Sequence, residues 1–398
     1  MTRVVVRGLV AQGALRVEDG NHGNDRPRPD EFVADGVPFI RAADMSGGMV
    51  DFHAAGKING IARTRIRKGV GAPGDVILSH KGTVGKVAVA PADSPDFVCS
   101  PQTTFWRSID GDVIDQRYLK FVLVSADFGR QLDVLKGQTD MAPYVSLTDQ
   151  RSMELELPAI AEQRAIAEVL GALDDKIAGN ARLVGTSEEL AVAIASESVP
   201  TVALGEIVSH HKRAVDPNSV NDALVEHFSL PAFDTQHAPE VVAPRAIKSG
   251  KFEICQPSVL VSKLNPRFPR IWDVPASGTW QGLASTEFLV LESRFSSSSV
   301  LWSILSQPIF SASLESQVAG TSGSHQRVRP ADLLATHVID PRTMPDPAKD
   351  AITSLGLCVA AYRSESTTLA ATRDTLLPLL MSGEITVKTA KRAAGEVV

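Results

Sequence analysis

Residues 157–177 read LPAIAEQRAIAEVLGALDDKI, and the spacing of the apolar residues in and after this stretch decides the fold. A heptad template laid over residues 161–195 selects nine seam positions, six of them apolar: Ile166, Val169, Leu173, Lys176, Asn180, Leu183, Ser187, Leu190 and Ile194. A seam of this spacing predicts a helix of about 30 residues that packs along a second helix as a coiled coil.

A second stretch with the same spacing begins at residue 351. The template selects nine positions there, seven of them apolar, each 186 positions after its counterpart: Ile352, Leu355, Val359, Tyr362, Ser366, Leu369, Arg373, Leu376 and Leu380. The polar positions leave the direction of the pair open. Parallel helices would set Asn180 opposite Ser366, and antiparallel helices would set Asn180 near Arg373 and Ser187 near Ser366. Two ordinary amphipathic helices, each packed on its own domain, are the alternative.

The segments that precede the two helices also repeat each other. Gly137-Gln138-Thr139 and Gly320-Thr321-Ser322 are related by an offset of 183 in the numbering. The same offset aligns further pairs: Val76 to Ser79 with Val259 to Ser262, Thr103 with Thr286, Phe105 with Phe288, Val145 with Val328, Asp149 with Asp332, and Pro158 with Pro341. An offset that holds from residue 76 to residue 158 indicates a duplicated domain. Two unrelated β-rich domains with generic strand and turn patterns are the alternative.

Each copy mixes strands with helices, which predicts an α/β fold. Short apolar or alternating runs bounded by Gly and Pro predict strands at 76–78, 86–89, 259–261 and 288–291. Longer stretches predict helices at 116–135 and 300–318. Each copy then ends in a glycine turn, a final strand and a proline. The difference of three between the two offsets arises near 341–347.

Several of these segments resemble one protein family. LPAIAEQRAIAEVL at 157–170, followed by ALDDKI at 172–177 and Asn180, resembles the conserved central spacer of type I restriction-modification specificity subunits. LLPLLMSGEI at 376–385 resembles the end of that family's second spacer. Five further segments resemble the family's target-recognition domains: GVPFIR at 36–41, GDVIL at 74–78, GTVGK at 82–86, LNPR at 264–267 and ASTEF at 284–288. The second spacer departs from the family at its start, since PRTMPDP at 341–347 lacks the Glu-Gln-Arg signature.

The resemblance implies two similar α/β target-recognition domains separated by two long antiparallel coiled-coil spacer helices, in a pseudo-twofold arrangement. The domains would cover 1–156 and 198–340, and the central spacer helix 157–197. The C-terminal spacer helix and tail would cover 341–398. Each domain would read one half of a bipartite site on double-stranded DNA. The spacers and domain surfaces would recruit two methyltransferase subunits, which motor-nuclease subunits would join.

The composition is typical of a globular protein, with 43% hydrophobic and 22% charged residues. No apolar run approaches the roughly 20 residues of a membrane span, and the N-terminus lacks a convincing cleavage site. We therefore expect a cytoplasmic protein with no membrane partner. Cys99, Cys255 and Cys358 are scattered, which fits free thiols in a reducing compartment. The net charge of −6 means that any DNA contact depends on local basic clusters.

Two groups of basic residues are the predicted DNA contacts, because Arg and Lys clamp phosphates and read guanines. Taken singly, each of these residues fits a solvated surface charge equally well. The first domain contributes Arg63, Arg65, Arg67, Lys68, Lys81 and Lys86, and the second contributes Lys248, Lys251, Lys263, Arg267, Arg270 and Arg327. Two loops are suited to approach a groove, one with Gln138, Thr139 and Asp140, the other with Ser322, Ser324, His325 and Gln326.

The segments that resemble catalytic sites are incomplete. GTVGK at 82–86 matches a phosphate loop only in part, because His80 and Val87 stand where the pattern requires Gly and Ser or Thr. The pair His210-His211 has no partner at metal-ligand spacing. An amino-methyltransferase signature, a loop for S-adenosylmethionine and a nuclease set of acids are absent from the sequence. We therefore predict a non-catalytic subunit without cofactor or metal. A self-contained DNA-modifying enzyme, or its reader fragment, is the alternative.

Overall fold

The computed structural model describes residues 2–137, 142–198, 200–276, 278–317 and 326–395. The chain divides into two compact units, one made of Met1–Asp174 with Ala371–Val398 and the other of Asp175–Ala370. The domain boundaries predicted at 156, 197 and 340 treat the long helices as separate segments and stay a prediction. Within the described ranges, no helix is long and apolar enough to cross a bilayer.

The first unit combines short strands with short helices. Its strands are β1 Thr2–Val5, β2 Leu15–Asp19, β3 Phe32–Val33, β4 Val37–Ile40, β5 Met45–Ser46, β6 Met49–Val50, β7 Lys57–Ile58, β8 Val70–Gly71, β9 Val76–Ser79, β10 Val87–Val89, β11 Phe97–Cys99, β12 Thr103–Ser108 and β13 Glu154–Leu157. Its helices are α1 Val6–Ala11, α2 Gly60–Arg65, α3 Gln116–Leu123, α4 Ala126–Lys136 and α5 Leu147–Ser152. The long helix α6, Ile160–Ser196, begins here and ends in the second unit.

The second unit has a similar element order with fewer strands among its described residues. Its strands are β14 Thr201–Ala203, β15 Val208–His211, β16 Ala214–Val215, β17 Val225–Phe228, β18 Glu240–Val242, β19 Lys251–Ile254, β20 Ser258–Ser262, β21 Ile271–Val274, β22 Gln281–Ser285, β23 Phe288–Ser293 and β24 His337–Ile339. Its helices are α7 Leu204–Ile207, α8 Leu230–Gln236, α9 Ser298–Leu305, α10 Pro308–Ser316 and α11 Pro330–Ala335. The long helix α12, Asp346–Ser382, begins here and ends in the first unit, where α13, Val387–Gly395, follows.

The sheets of the two units share one topology, which confirms the predicted α/β fold with two similar domains. The order β2-β12-β9-β10 in the first unit corresponds to β15-β23-β20-β21 in the second. The order β7-β4-β11-β8 corresponds to β18-β17-β22-β19, and in both cases the central pair is parallel. A further antiparallel pair joins the start of each unit to the strand that precedes its long helix, β1 with β13 and β14 with β24.

The strand register shows that the repeat offset is not constant. Val76 and Val259 are related by an offset of 183, but their partners Trp106 and Leu291 are related by an offset of 185. The sequence-based alignment of Phe105 with Phe288, and of Thr103 with Thr286, was therefore wrong by two positions. The cause is a connection between β20 and β23 that is two positions longer than the one between β9 and β12.

The predicted helices at 116–135 and 300–318 are each two helices. Ser125 breaks the first, because its side chain accepts a hydrogen bond from the backbone of Phe128 and so caps α4. The second breaks before Pro308, which occupies the first turn of α10. In both units the pair of short helices packs beside the sheet. The cores are continuous apolar clusters, around Phe97 and Phe105 in the first unit and around Leu289 and Leu301 in the second.

The long helices α6 and α12 are antiparallel and 37 residues long each, which exceeds the predicted length. Within the second unit, Asn180 donates from Nδ2 to Glu365 Oε2 at 2.7 Å and to Ser366 Oγ at 3.3 Å. Further along α6, Glu188 accepts from Arg363 at 2.7 Å. Residue numbers therefore rise along one helix and fall along the other.

The expectation that antiparallel helices would bring Asn180 near Arg373 was wrong. Asn180 meets Ser366, the residue at its own position in the second repeat. Arg373 lies in the first unit, where its Nη1 donates to Asp174 at 2.8 Å. The register differs from the expected one because a buried amide requires polar partners, and Glu365 and Ser366 supply them.

Most of the residues predicted to pack the long helices are buried, but two are not. The buried or partly buried residues are Ile166, Val169, Leu173, Ile352, Leu355, Val359, Leu369 and Leu376. Leu183 and Leu190 are each 48% exposed, and Ala191 and Ala195 take the inward positions. An α-helix completes five turns between Leu173 and Ala191, at about 3.6 residues per turn, so a template with a shorter period falls one position behind.

The entry into α12 accounts for the change of offset. α12 begins 186 positions after α6, whereas β24 begins 183 positions after β13. The extra length forms a short 3-10 turn, Pro341–Thr343, capped by Asp340, which accepts from the backbone of Arg342 at 3.0 Å. The predicted insertion near residues 341–347 is confirmed.

The difference between Leu173 and Leu183 can be measured. Leu173→Ala leaves a cavity in a fully buried site and is expected to lower the free energy of unfolding by about 2–5 kcal/mol. Leu183→Ala is the matched control, with an expected loss of less than about 1 kcal/mol because the side chain is half exposed. Urea unfolding of the full chain gives both values. Equal losses of unfolding free energy in the two variants would contradict this assignment and support the heptad seam predicted from the sequence.

Candidate nucleic-acid interface

In the first unit, the hairpin loop at residues 80–86 is fixed against residues 142–146, which lead into α5. The backbone N–H of Val145 donates to the carbonyl of His80, and that of Gly82 to the carbonyl of Pro143, both at 2.9 Å. Burial lowers the pKa of His80, and the neutral ring donates from Nδ1 to the Val145 carbonyl at 2.9 Å. These bonds make the loop a rigid extension of the sheet. We call the two segments the first loop pair.

The second unit builds the same arrangement from residues 263–270 and 326–329, the second loop pair. The backbone N–H of Val328 donates to the carbonyl of Lys263 at 3.0 Å, and that of Asn265 to the carbonyl of Gln326 at 2.9 Å. Each of these residues lies 183 positions after its counterpart in the first loop pair. The backbone bridges agree with the same offset, Lys81 with Tyr144 and Leu264 with Arg327. Both loop pairs lead directly into a short helix, α5 or α11.

Each loop pair presents a cation beside an aromatic ring. In the first, the ammonium of Lys81 lies 5.7 Å from the centre of the Tyr144 ring. In the second, Arg267 and Phe268 are both exposed, Phe268 at 65%, and φ of +51° at Asn265 turns the chain toward them. Cations contact phosphates and aromatic faces stack on bases. Sequence reasoning missed Tyr144 and Phe268, although the setting of Phe268 in PRFPR at 266–270 was a usable signal.

Three of the predicted arginines are already paired with carboxylates. Arg65 donates from both terminal nitrogens to Glu31, at 2.9 and 2.6 Å. Arg270 holds Asp234 in the same two-pronged way, at 2.6 and 2.8 Å. Arg327 donates to Glu287 at 2.8 Å across the second loop pair. Their charges are compensated within the protein, so they position segments of the fold.

The predicted lysines divide in a similar way. Lys251 is 6% exposed, its Nζ donates to the carbonyl and the hydroxyl of Ser249 at 2.9 and 2.7 Å, and burial lowers its pKa. The burial of this side chain counts against a DNA contact by Lys251, which stays a prediction. Lys263 donates to the Thr286 carbonyl at 2.5 Å, and Lys86 to the Ala42 carbonyl at 3.2 Å.

The remaining predicted cations keep their charge free for a ligand. Arg63 is half-buried and donates to the Ile66 carbonyl at 3.3 Å. Five others are exposed and have no acidic partner within the described ranges: Arg67, Lys68, Lys81, Lys248 and Arg267. Of these, Lys81 and Arg267 lie on the loop pairs. In the predicted groove loops, Gln138, Thr139, Asp140, Ser322, Ser324 and His325 lie outside the described residues, and Gln326 holds the second loop pair through its carbonyl.

The ion pair between Arg65 and Glu31 predicts that part of the stability of the fold is lost at acid pH. The Arg65 guanidinium lowers the pKa of Glu31 from 4.5 to about 2, so the pair stabilises the fold above pH 4.5 and this contribution is lost as the pH falls toward 2. Arg65→Ala should lower the melting temperature at pH 7 and remove this part of the acid dependence. Arg67→Ala, two positions away, should leave both unchanged. Thermal unfolding between pH 2 and pH 7 measures the effect, and identical curves for the two variants would contradict the assignment.

Residues 22–183 match the family model described as the type I restriction modification DNA specificity domain. Among solved structures, the chain is similar to the S subunit of the type I restriction-modification system from M. genitalium, with 14% identity, 95% of each chain covered and a TM-score of 0.56. This similarity establishes the fold.

Two further structures cover the chain at lower TM-scores. The HsdS subunit from Thermoanaerobacter tengcongensis is 16% identical over 96% of this chain and 97% of that one, with a TM-score of 0.36. A chain from work on assembly and conformational transition of the type I R-M system is 15% identical over 93% and 97%, with a TM-score of 0.31. The comparison with curated proteins gave no match. Residues 22–183 therefore match the type I restriction modification DNA specificity domain, and the chain has the same fold as the S subunit from M. genitalium.

Proposed function

We propose that the chain reads a bipartite site on double-stranded DNA, with one half-site contacted by each loop pair. The observation that supports this most directly is the repetition of the loop pairs. The same hydrogen bonds recur at an offset of 183 in the numbering, on equivalent strands of two equivalent units. A rigid loop with a free cation at its tip is suited to direct contact with phosphates and base edges.

The helices α6 and α12 act as the ruler in this proposal. A helix of 37 residues is about 55 Å long, and one turn of B-DNA is roughly 34–36 Å, so the pair is long enough to set the distance between half-sites about a turn apart. The antiparallel register within each unit fixes the length of the ruler, because Asn180 with Ser366 and Asp174 with Arg373 oppose sliding of one helix along the other.

The catalytic steps belong to partner subunits in this proposal. Two methyltransferase subunits bind the spacer helices and domain surfaces, and motor-nuclease subunits join through them. Leu183 and Leu190 lie one heptad apart on α6 and are half exposed, so they offer an apolar surface to such a partner. The chain itself binds no cofactor or metal in this scheme and reads sequence only.

Methylome sequencing tests the function. The chain is co-expressed with its methyltransferase subunit in a host that lacks other adenine methylation. The expected result is one split motif with methylated adenines in both halves. The purified chain alone, incubated with DNA and S-adenosylmethionine, should leave the DNA unmethylated. Methylation or cleavage by the purified chain would establish the alternative, a self-contained DNA-modifying enzyme.

The same assay tests the ruler. Residues 176–179 of α6 and 367–370 of α12 lie between the pair Asn180–Ser366 and the pair Asp174–Arg373, so their joint deletion keeps both pairs. Four residues shorten each helix by about 6 Å, or roughly two base-pair steps of 3.4 Å. The methylated motif should keep both half-sites and lose about two base pairs of the gap. An unaltered gap would refute the ruler.

Removal of the free cations tests the loop pairs. Lys81→Ala and Arg267→Ala each remove one uncompensated charge, so each should weaken DNA binding and lower the slope of log K against log salt by about 1. Arg130→Ala is the control, because this exposed arginine on α4 is paired with Asp127 at 3.0 Å. Filter-binding titrations between 50 and about 200 mM salt give the slopes. If both variants have the same slope as the control, the result contradicts the assignment of the loop pairs to the DNA interface.

A further inference from the structure

The second unit contains a cleft of about 360 Å³ that reading DNA does not require. Its walls come from α6, α12 and the outer strand β21. Trp272 and Phe228, with ring centres 4.9 Å apart, form an aromatic side, and Leu355 and Val359 of α12 form an aliphatic side. The carboxylate of Asp273 stands among them. Such a mixture of apolar walls and a few polar groups is typical of small-molecule sites.

Asp273 is a carboxylate of this cleft that has no salt bridge within the described ranges. Hydrogen bonds from Ser299 and Ser298 and the charge of Arg363 lower its pKa, but by less than burial raises it. Its Oδ1 is closed off from solvent and has no hydrogen-bond partner within the described ranges. The neighbouring Arg363 is committed to Glu188, at 2.7 Å. Burial lowers the pKa of His237 to about 4, so this ring is neutral, and Glu226 adds a further carboxylate to the wall. The cleft therefore favours a cation.

The first unit shows what occupies the equivalent place there. Arg117 is the second residue of α3, and Ser299 is the second residue of α9. The Arg117 guanidinium lies against Gly171 of α6, where a Cβ would stand 2.5 Å from Nη2. Ser299 meets Gly356 of α12 in the same way, and a Cβ on Gly356 would collide with its hydroxyl. In both units a helix glycine makes room for this side chain.

A strand position near this residue also differs between the two units. Val89 pairs with Val76 in the first unit, and Asp273 pairs with Val259 at the equivalent register in the second. The first unit thus combines valine with arginine, whereas the second combines aspartate with serine. The unit that contains the buried carboxylate of Asp273 has a serine where the other unit has an arginine.

We propose that this cleft of the second unit binds a guanidinium or amidinium group carried on an apolar body, with Asp273 as its counter-ion. A planar cation can donate a charge-assisted hydrogen bond to the other carboxylate oxygen, Oδ2, and lie against the aromatic side of the cleft, which a more strongly hydrated ammonium does less well. The apolar walls accommodate the body of the ligand. The site is independent of the DNA-reading role, and its test contains no DNA.

Benzamidine is the probe, because it joins an amidinium to an aromatic ring. Isothermal titration of the full chain at pH 7.5 should show binding at one site, and the neutral analogue benzamide should give none. Asp273→Asn should weaken benzamidine binding at least about tenfold, as expected for the loss of a charge-assisted pair. The exposed Asp222→Asn in the same unit is the matched control and should leave the affinity unchanged.

A second variant keeps the proposal falsifiable if Asp273→Asn disturbs the fold. Ser299→Arg restores the arginine of the first unit, so it should fill the cleft, pair with Asp273, raise the melting temperature and abolish benzamidine binding. Absence of binding to the unmodified chain at millimolar probe would overturn the proposal. So would equal binding by the chain and by either Asp273→Asn or Ser299→Arg.

The pH dependence supplies an independent readout. Burial raises the pKa of Asp273 to about 6, so its ionised fraction, and with it the affinity for benzamidine, should fall roughly tenfold between pH 7.5 and pH 5. The other charged or titratable groups that face the cleft are Glu226, Glu188, Arg363 and His237. A drop that persists in Asp273→Asn would assign it to one of them and count against Asp273 as the counter-ion.

The natural ligand could be a free small molecule or an arginine side chain of a bound protein. Titration with N-acetyl-arginine amide separates these sources. Binding tighter than that of benzamidine would identify the arginine side chain of a partner, and binding at least about tenfold weaker would identify a small aromatic or aliphatic cation. Both results retain the guanidinium-type chemistry of the site.

Discussion

The buried amide of Asn180 sets the register of the two long helices. At 2% exposure it has to find hydrogen-bond partners inside the protein, and it finds Glu365 and Ser366. Leaving such a group unpaired costs about 1–3 kcal/mol, more than most single apolar contacts in a helix seam contribute. A slide by one heptad would bring the amide against the apolar Val359 or the charged Arg373. The polar pair therefore selects one alignment of α6 and α12 from several that the apolar residues alone would accept.

The offset between the two repeats is constant within segments that contact each other and changes in the connections between them. α6 and α12 begin and end at the same offset of 186, and Asn180 meets its own counterpart Ser366. The loop pairs keep an offset of 183, while the strands beside them have moved to 185 because a connection has lengthened. Insertions accumulate in loops because their entropic cost there is small. An insertion inside a loop pair would break its backbone hydrogen bonds.

Much of the fold could be predicted from the sequence, and the errors have identifiable physical causes. The strands at Val76 and Val259 and the existence of both long helices follow from local periodicity. The inward positions beyond Asn180 do not, because a heptad template drifts from a straight helix and puts Leu190 where Ala191 packs. The break at Ser125 depends on a side-chain cap, which an apolar pattern does not reveal.

The candidate site was harder to predict because charge in the sequence is not charge at the surface. Arg65 pairs with Glu31, Arg270 with Asp234 and Arg327 with Glu287, and in each case the carboxylate is distant along the chain. Each cluster therefore has less uncompensated positive charge in the folded protein than the sequence suggested. Only the fold could show which carboxylate lies beside which guanidinium.

Under the proposed function, this pairing bears on how a chain with a net charge of −6 would bind DNA. A cation already paired with a carboxylate gains little from a phosphate, because the new contact must replace the old one. The proposal therefore places the binding energy at the uncompensated cations, and two of these, Lys81 and Arg267, lie on the repeated loop pairs. The net negative charge would repel phosphates, which would weaken non-specific binding more than binding at the loop pairs. Under the proposed function, a small number of uncompensated cations on a chain of net negative charge would favour discrimination between sites over affinity for DNA in general.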